Sequence, residues 1–311
     1  MSLEQQRFTA EDVETWRRDG VTLVRDFFTP EEVAAVRADF EQVFGRTAGA
    51  EQAMDKKKAG EIGRFNGAQF RTLEAVPFPG APALNLIGVH PALIAFAKAA
   101  LNTDAVHLYQ CQAWAKFTGD ADYDQPFHCD YSNHTLTVPS EDAASNSVTI
   151  LNYFTDVTDA HGAMRYVTRP DSDRVAGPEA TLDFAPGVQA QLQRDLMAHE
   201  RSSASPAGTA IPYSIDVYHR GANLTAPNGH RYAVMACFKR AGDESIGFHA
   251  WAFHNTKPWA ELFERASPEQ LACFGVKLPG DPFWTETTLA RAQARYPRWD
   301  LTPYRVAASR P

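Results

Sequence analysis

The chain has 311 residues, of which 44% are hydrophobic, and it carries a net charge of −8. This is enough for one substantial core, and the acidic balance argues against nucleic acid as a partner because no basic stripe offsets it. Lys56, Lys57 and Lys58 are interpreted as a solvated face. We identify no apolar run of membrane-spanning length and no secretory leader, so we expect no membrane partner and a cytoplasmic location.

No Pro/Gly/Ser-rich linker separates two core-forming halves, which favours a single domain over residues 1–311. We divide it into a helical N-terminal part (1–104), a strand-rich core (105–240) and a helical C-terminal part (241–311). The cysteines lie mostly in apolar contexts without CxxC spacing, which is typical of reduced, buried thiols. They are Cys111, Cys129, Cys237 and Cys273.

Two helix starts are predicted near the N-terminus. Thr9 and Thr29 are each followed, three residues later, by an acidic residue, which is the pattern of a capping box. Residues 46–62 lack a sustained apolar face and are either a surface loop or a lid over the substrate. A further helix is predicted from Pro91 to Leu101.

Short runs rich in β-branched and aromatic residues then predict strands separated by turns, which favours a sandwich or a jelly roll. The predicted strands are 105–117, 134–138, 147–154, 164–167, 211–219 and 231–239. Helical patterns return in the tail, at Ser267 and Thr285.

The segment QPFHCDYS carries a candidate metal motif. Side chains at i and i+2 of an extended segment point the same way, so His128 and Asp130 can reach one ion while Cys129 turns away. His219 supplies a second imidazole at the end of a predicted strand. Two histidines and one carboxylate form the facial triad of non-haem Fe(II) oxygenases, which leaves coordination positions open.

Arg231 opens the next predicted strand after the turn signal at residues 226–229. If the strands that carry His219 and Arg231 pair as antiparallel neighbours, the guanidinium comes near the metal, where its planar fork could hold a carboxylate. His230 and Arg220 are the nearby alternatives for this role.

Several other side chains are candidates for the site. In QCQAWAKF, alternation predicts one polar face, which either lines the site or faces solvent. On it, Gln112 or Lys116 could contact a cofactor, and Trp114 could wall a substrate pocket. Tyr131 and His134 could face substrate because they follow the metal motif closely. Trp251 and His254 are better interpreted as aromatic packing, and His161 is assigned no role because it lies in a turn.

The chain resembles the phytanoyl-CoA dioxygenase family of Fe(II)/2-oxoglutarate oxygenases. The resemblance rests on the metal motif, on the opening FTAEDVETWRRDGVTLVRDFFTPEEVAAVRADFEQVF and on the stretch VTILNYFTDVTDAHGAMRYVTRPDS. It implies a double-stranded β-helix, a mainly β jelly roll with flanking helices. It also implies that His128, Asp130 and His219 bind iron and that Arg231 holds the distal carboxylate of 2-oxoglutarate.

The implied reaction hydroxylates a C–H bond of a small organic metabolite with O2, while 2-oxoglutarate becomes succinate and CO2. Related halogenases replace the carboxylate ligand with a small residue, whereas this chain retains Asp130.

The sequence departs from the family pattern at two places. Residues 168–172 stand where the family often has Pro-Gly-Ser-His, and Gly221 stands where many members have a hydroxyl residue. The second leaves one 2-oxoglutarate contact unassigned. The alternatives are a 2-oxoglutarate-independent metalloenzyme and a non-catalytic metal-dependent sensor on the same fold; the substrate and the oligomeric state are not predicted.

Overall fold

The computed structural model describes residues 7–45, 73–119, 124–134, 139–140, 142–177, 186–243, 246 and 258–308. The predicted loop or lid at 46–62, the lysine run within it, and Trp251 and His254 lie outside these residues.

The N-terminal part begins with the two predicted helices. In α1 (Ala10–Asp19) the Thr9 side chain accepts from the Asp12 N–H, and the Asp12 carboxylate accepts from the Thr9 N–H. The same reciprocal pair joins Thr29 and Glu32 at the start of α2 (Pro30–Phe44). Both capping boxes are therefore confirmed. Two apolar helices follow, α3 (Pro82–Ile87) and α4 (Pro91–Ala100).

The described core consists of two antiparallel sheets with helices around them, which confirms the predicted fold class. The larger sheet has the order β1-β2-β8-β3-β6 and the smaller the order β5-β4-β7. The strands are β1 (Leu73–Ala75), β2 (Val106–Phe117), β3 (Val148–Tyr153), β4 (Arg165–Tyr166), β5 (Arg201–Ser202), β6 (Ala210–Ser214), β7 (His219–Arg220) and β8 (His230–Arg240).

The remaining helices connect or flank these strands. They are α5 (Tyr131–His134), α6 (Arg169–Ala176), α7 (Pro186–Met197), α8 (Trp259–Phe263), α9 (Pro268–Ala272), α10 (Glu286–Arg295) and α11 (Thr302–Ala308). The last two predicted helix starts are confirmed, since Ser267 caps α9 and Thr285 caps α10. The C-terminal helices enclose their own aromatic cluster, which includes Trp259, Trp284, Trp299 and Tyr304.

Two strand predictions are wrong. The run 211–219 is not one strand, because a turn at Ile215 and Asp216 takes the chain from β6 in the larger sheet to β7 in the smaller. Consequently β8 pairs with β2 and β3, and not with the strand of His219. His134 ends a short helix instead of starting a strand, and residues 135–138 lie outside the described chain.

The larger sheet has one face toward the helices and one toward a cavity. On β8, Tyr232, Val234, Ala236 and Phe238 belong to the helix-side core, so Arg231 and the other odd-numbered residues face inward. On β2 the even-numbered residues from Gln110 to Lys116 face the same way, because they pair with the inward residues of β8. The polar face of QCQAWAKF is therefore an interior face and not a solvated one.

The stretch Pro82–Ala100 is long and apolar enough to cross a membrane by length and composition, contrary to the expectation that no such run exists. In the structure this stretch forms two helices separated by residues 88–90, and 61% of its most apolar 18 residues are buried inside the protein. Core helices of soluble proteins can have the same length and composition, so the stretch is weak evidence for a membrane span.

Candidate metal centre

His128, Asp130 and His219 converge on one point. Their ligand atoms all lie within 4.8 Å of one another, and Asp130 Oδ1 is 3.9 Å from His128 Nε2 and 3.6 Å from His219 Nε2. A backbone bridge holds the two histidines side by side, since each N–H donates to the carbonyl of the other over 3.1 and 3.0 Å. The backbone therefore sets the spacing of the two imidazoles before any ion binds.

Hydrogen bonds fix the proton on each imidazole. His128 Nδ1 lies 3.0 Å from the Pro126 carbonyl, and His219 Nδ1 lies 3.0 Å from the Val217 carbonyl. A carbonyl only accepts, so each Nδ1 carries the proton and each Nε2 presents its lone pair to the shared point. Burial, with His219 nearby, lowers the pKa of His128, which favours the neutral imidazole that ligates metals.

Asp130 presents one oxygen to the imidazoles and the other to a tyrosine. Tyr213, on β6, donates its hydroxyl to Asp130 Oδ2 over 3.2 Å. Burial alone would raise the pKa of Asp130, but His219 and His128 outweigh it and the pKa lies below its usual value. The group is therefore a carboxylate whose Oδ1 faces the two Nε2 atoms, and this donor set fits a divalent iron ion.

Cys129 turns away from this centre, as predicted. Its Sγ donates to the Asp216 carbonyl over 3.2 Å, and burial raises its pKa well above the usual value. The Asp216 carboxylate is held by Arg169 through two bonds of 2.9 and 3.0 Å. Arg169 lies in residues 168–172, where the sequence departs from the family pattern. This segment therefore holds the turn that precedes His219 through an ion pair with Asp216.

The triad lies on the wall of a cavity of about 320 Å³. Its lining comes from both sheets and the segments that join them: Leu73, Gln110, Gln112, Trp114, Gln125, His128, Asp130, His134, Thr149, Leu151, Met164, Tyr213, His219, Gly221, Arg231, Met235 and Cys237. The candidates Gln112, Trp114 and His134 therefore face the same space as the triad, and His134 Nδ1 lies 2.9 Å from the Tyr109 hydroxyl. Tyr131 does not line this cavity and packs instead against the cluster around Phe127 and Cys129.

Arg231 reaches the cavity from β8 although its predicted strand pairing is wrong. The residue is only 2% exposed, and its guanidinium lies over the Trp114 ring at 4.9 Å. Nη1 donates to the Gly162 carbonyl, while Nε is buried without a hydrogen-bond partner. No carboxylate of the described residues forms an ion pair with it, so the cation is buried without a counter-charge, and burial lowers its pKa.

The turn at Gly162, whose carbonyl accepts from Arg231, packs closely against the segment that follows β7. Gly162 has φ +72°, and a Cβ there would lie 2.5 Å from the Ala222 carbonyl oxygen. A side chain is therefore excluded where Arg231 donates. The neighbouring His161 bonds through Nδ1 to the Thr158 hydroxyl over 2.8 Å and does not line the cavity, in agreement with its lack of an assigned role.

Lys116 is a second buried cation in this region. It lies opposite Arg231 in the register of β2 and β8, is 3% exposed, and donates Nζ to the Ala222 carbonyl over 2.7 Å. Burial, followed by the charge of Arg231, lowers its pKa to about 7.

We expect Lys116→Met to change how stability depends on pH. Between about pH 7 and the ordinary lysine pKa, the unfolded chain holds a proton that the folded chain has lost, so this lysine makes stability rise with pH there. Removing it should lower the slope by on the order of 1 kcal/mol per pH unit. Urea unfolding at several pH values measures the difference from wild type; Lys98→Met, at a partly exposed lysine, should keep the wild-type slope, and an unchanged slope in Lys116→Met would contradict the prediction.

Two facing antiparallel sheets with a two-histidine, one-carboxylate set define a jelly-roll protein of the non-haem facial-triad class. The chain belongs to the phytanoyl-CoA dioxygenase family, whose model matches residues 16–228. The family expected from the sequence is thus confirmed. No curated protein matches the chain significantly.

Solved structures share the fold at low sequence identity. The carbocyclase SnoK of nogalamycin biosynthesis is 19% identical, with 75% of this chain and 85% of that chain covered and a TM-score of 0.54. The epimerase SnoN of the same biosynthesis is 16% identical, with 74% and 82% covered and a TM-score of 0.52. EctD from S. alaskensis is 15% identical, with 76% and 78% covered and a TM-score of 0.54.

Two of these neighbours, SnoN and EctD, were solved with iron and 2-oxoglutarate. SnoN was solved in complex with Fe3+, alpha ketoglutarate and nogalamycin RO. EctD was solved with 2-oxoglutarate and 5-hydroxyectoine, and also with bound Fe. Membership of the family and the donor set of the triad, not these distant likenesses, indicate the general kind of enzyme, an iron- and 2-oxoglutarate-dependent oxygenase.

Proposed function

We propose that this protein is an Fe(II)- and 2-oxoglutarate-dependent dioxygenase that hydroxylates a C–H bond of a small organic molecule. His128, Asp130 and His219 hold the iron, and Arg231 holds the distal carboxylate of 2-oxoglutarate. When bound, the iron and 2-oxoglutarate supply O2-dependent oxidation of substrate, with release of succinate and CO2. Membership of the family and the geometry of the site support this assignment.

The buried guanidinium of Arg231 is the observation that carries the assignment of 2-oxoglutarate. A buried charge is costly unless it is paired, and the described residues give Arg231 only a carbonyl and a ring face. Its fork geometry matches a carboxylate, and the Arg231 side chain lines the same cavity as the triad. The cavity therefore offers a metal site and an anion site to one ligand, as an oxoacid with a second carboxylate requires.

The residues of the site have separate tasks in this proposal. The Pro126 and Val217 carbonyls keep both Nε2 atoms unprotonated, and Tyr213 occupies the second oxygen of Asp130. The Trp114 ring packs over the guanidinium and shields that face from water. Leu151, Met164 and Met235 supply apolar surface to the lining of the cavity.

Hydroxylation is proposed over halogenation because Asp130 retains the carboxylate ligand, which leaves no vacated ligand position for a halide. Epimerase and carbocyclase neighbours share the fold, so the outcome of C–H oxidation has to be measured. Gln112 is proposed to contact 2-oxoglutarate, and Trp114 and His134 the substrate, because each faces the cavity.

An anaerobic titration tests the cofactor assignment. Apo protein is given Fe(II) and then 2-oxoglutarate, and visible absorption is followed for the metal-to-ligand charge-transfer band of a chelated oxoacid. The proposal expects a saturable band, followed on admission of O2 and a library of metabolites by substrate-stimulated succinate release and a product heavier by one oxygen atom. Iron binding without the band would instead favour a 2-oxoglutarate-independent metalloenzyme, and a band without O2 consumption would favour a sensor.

A further inference from the structure

Gln125 and Gly221, which both line the cavity, contact each other. The Gly221 N–H donates to Gln125 Oε1 over 2.7 Å, and the Gln125 N–H donates to the Gly221 carbonyl over 2.9 Å. A Cβ at Gly221 would lie 2.6 Å from Gln125 Oε1, closer than real Cβ atoms approach. The Gln125 amide therefore fills the space that a side chain at position 221 would need.

This contact fixes the direction of the amide. A backbone N–H only donates, so the atom facing Gly221 is the oxygen, and Nε2 with its two N–H groups points elsewhere. Within the described part of the chain, Nε2 makes no hydrogen bond, and Gln125 lines the cavity. A fixed amide thus leaves a neutral donor available to a ligand.

Gln125 precedes His128 and lies outside the strands of both sheets, and a chain of contacts places it near Arg231 on β8. Arg231 donates to the Gly162 carbonyl, and a Cβ at Gly162 would meet the carbonyl oxygen of Ala222, the residue after Gly221. Lys116, opposite Arg231 in the sheet, also donates to Ala222. These contacts enclose the guanidinium and the Gln125–Gly221 pair within one small region.

We propose that Gln125 determines cosubstrate specificity by donating an Nε2 hydrogen bond to the carboxylate that Arg231 holds. The inference rests on the proposed function and deepens it. A carboxylate accepts about four hydrogen bonds, and the arginine fork uses two of them. An amide adds a directional donor without burying another charge, and it occupies the space that a side chain at position 221 would need.

The test compares two oxoacids on the Fe(II)-loaded protein by anaerobic calorimetry. 2-Oxobutyrate carries the same chelating group as 2-oxoglutarate but lacks the distal carboxylate, so the ratio of the two Kd values reports recognition of that carboxylate alone. Gln125→Glu keeps an oxygen for the Gly221 N–H but cannot donate. We expect Gln125→Glu to reduce the ratio of the Kd for 2-oxobutyrate to the Kd for 2-oxoglutarate by about 10- to 100-fold. The affinity for 2-oxobutyrate should be nearly unchanged.

Gln125→Met serves as a second variant, expected to lose selectivity to a smaller extent because it adds no negative charge. Gln110→Met is the matched control, since Gln110 lines the cavity but pairs across the sheet with Cys237, away from Arg231. It should keep the wild-type ratio. Full selectivity in Gln125→Glu, or equal loss of both affinities in the two Gln125 variants, would overturn the inference and leave Gln125 a structural residue. A wild-type protein that binds both acids alike would overturn the proposed function as well.

Discussion

Replacement of His219 by alanine should abolish iron-dependent activity while leaving the fold intact. In the proposed site the imidazole is one of three ligands that the described residues offer, and even loss of a ligand's hydrogen-bond partner usually costs about 10- to 100-fold in metal affinity. A loss of more than about 100-fold is therefore expected. The fold should survive because the bridge to His128 is made by backbone atoms, which the substitution does not remove.

Calorimetric titration with Mn²⁺ or anaerobic Fe(II) measures the affinity, and thermal unfolding in a chelator measures the fold. His199→Ala is a matched control: His199 bonds through Nδ1 to the Asp195 carbonyl near the end of α7 and does not line the cavity. It should bind metal as wild type does. Metal affinity close to wild type in His219→Ala would remove His219 from the ligand set and would place the ion elsewhere.

The arrangement of His128, Cys129 and Asp130 follows from the sequence because its geometry is local. Alternation brings His128 and Asp130 to one side and sends Cys129 to the other, and the structure shows this arrangement. The capping boxes at Thr9 and Thr29 are equally local, since each depends on two side chains three residues apart. Such features depend on short-range stereochemistry, which is the same in the sequence pattern and in the folded chain.

The errors concern relations between distant segments. The run ending at His219 contains no glycine or proline at the turn through Ile215 and Asp216, so its strand-like composition did not reveal the change of sheet. Strand pairing depends on the whole sheet, and β8 pairs with β2 and β3 in preference to the nearer segment. Arg231 still reaches the cavity because its position on the inward face of β8 follows from alternation, whichever strands flank it.

Three contributors to the site had no sequence signal of their own. Tyr213 bonds to Asp130 across 83 positions, Gln125 bonds to Gly221 across 96, and Arg169 bonds to Asp216 across 47. Each is an ordinary polar residue, and its partner comes close only when the chain folds. Two of these contacts involve positions where the sequence departs from the family pattern. Arg169 lies within residues 168–172, and Gly221 is the partner of Gln125. The sequence did not indicate what either position would contact.

Substitution of Arg231 by methionine should change stability and ligand binding in opposite directions. A buried cation without a counter-charge costs free energy, and replacing buried charges by apolar groups of similar volume is often neutral or stabilising. The apo protein should therefore be as stable as wild type or more so. Binding of 2-oxoglutarate should weaken by roughly 30-fold or more, because truncating one partner of a buried, hydrogen-bonded charge pair costs about 2–5 kcal/mol.

Thermal unfolding with and without 2-oxoglutarate tests both parts of this prediction, because a ligand that binds only the folded state stabilises it in proportion to its affinity. The Fe(II)-loaded wild type should gain stability at ligand concentrations where Arg231→Met gains none. Arg231→Lys separates charge from geometry, since it keeps a cation but loses the fork and the stacking on Trp114. Lys116, the cross-strand partner of Arg231, limits how complete the loss can be. Burial lowers its pKa most and the charge of Arg231 lowers it further, so in Arg231→Met the pKa of Lys116 rises and this lysine is protonated more often. Residual binding in that variant should therefore disappear in the double variant with Lys116→Met, whereas unimpaired binding in the double variant would exclude both cations from the carboxylate site.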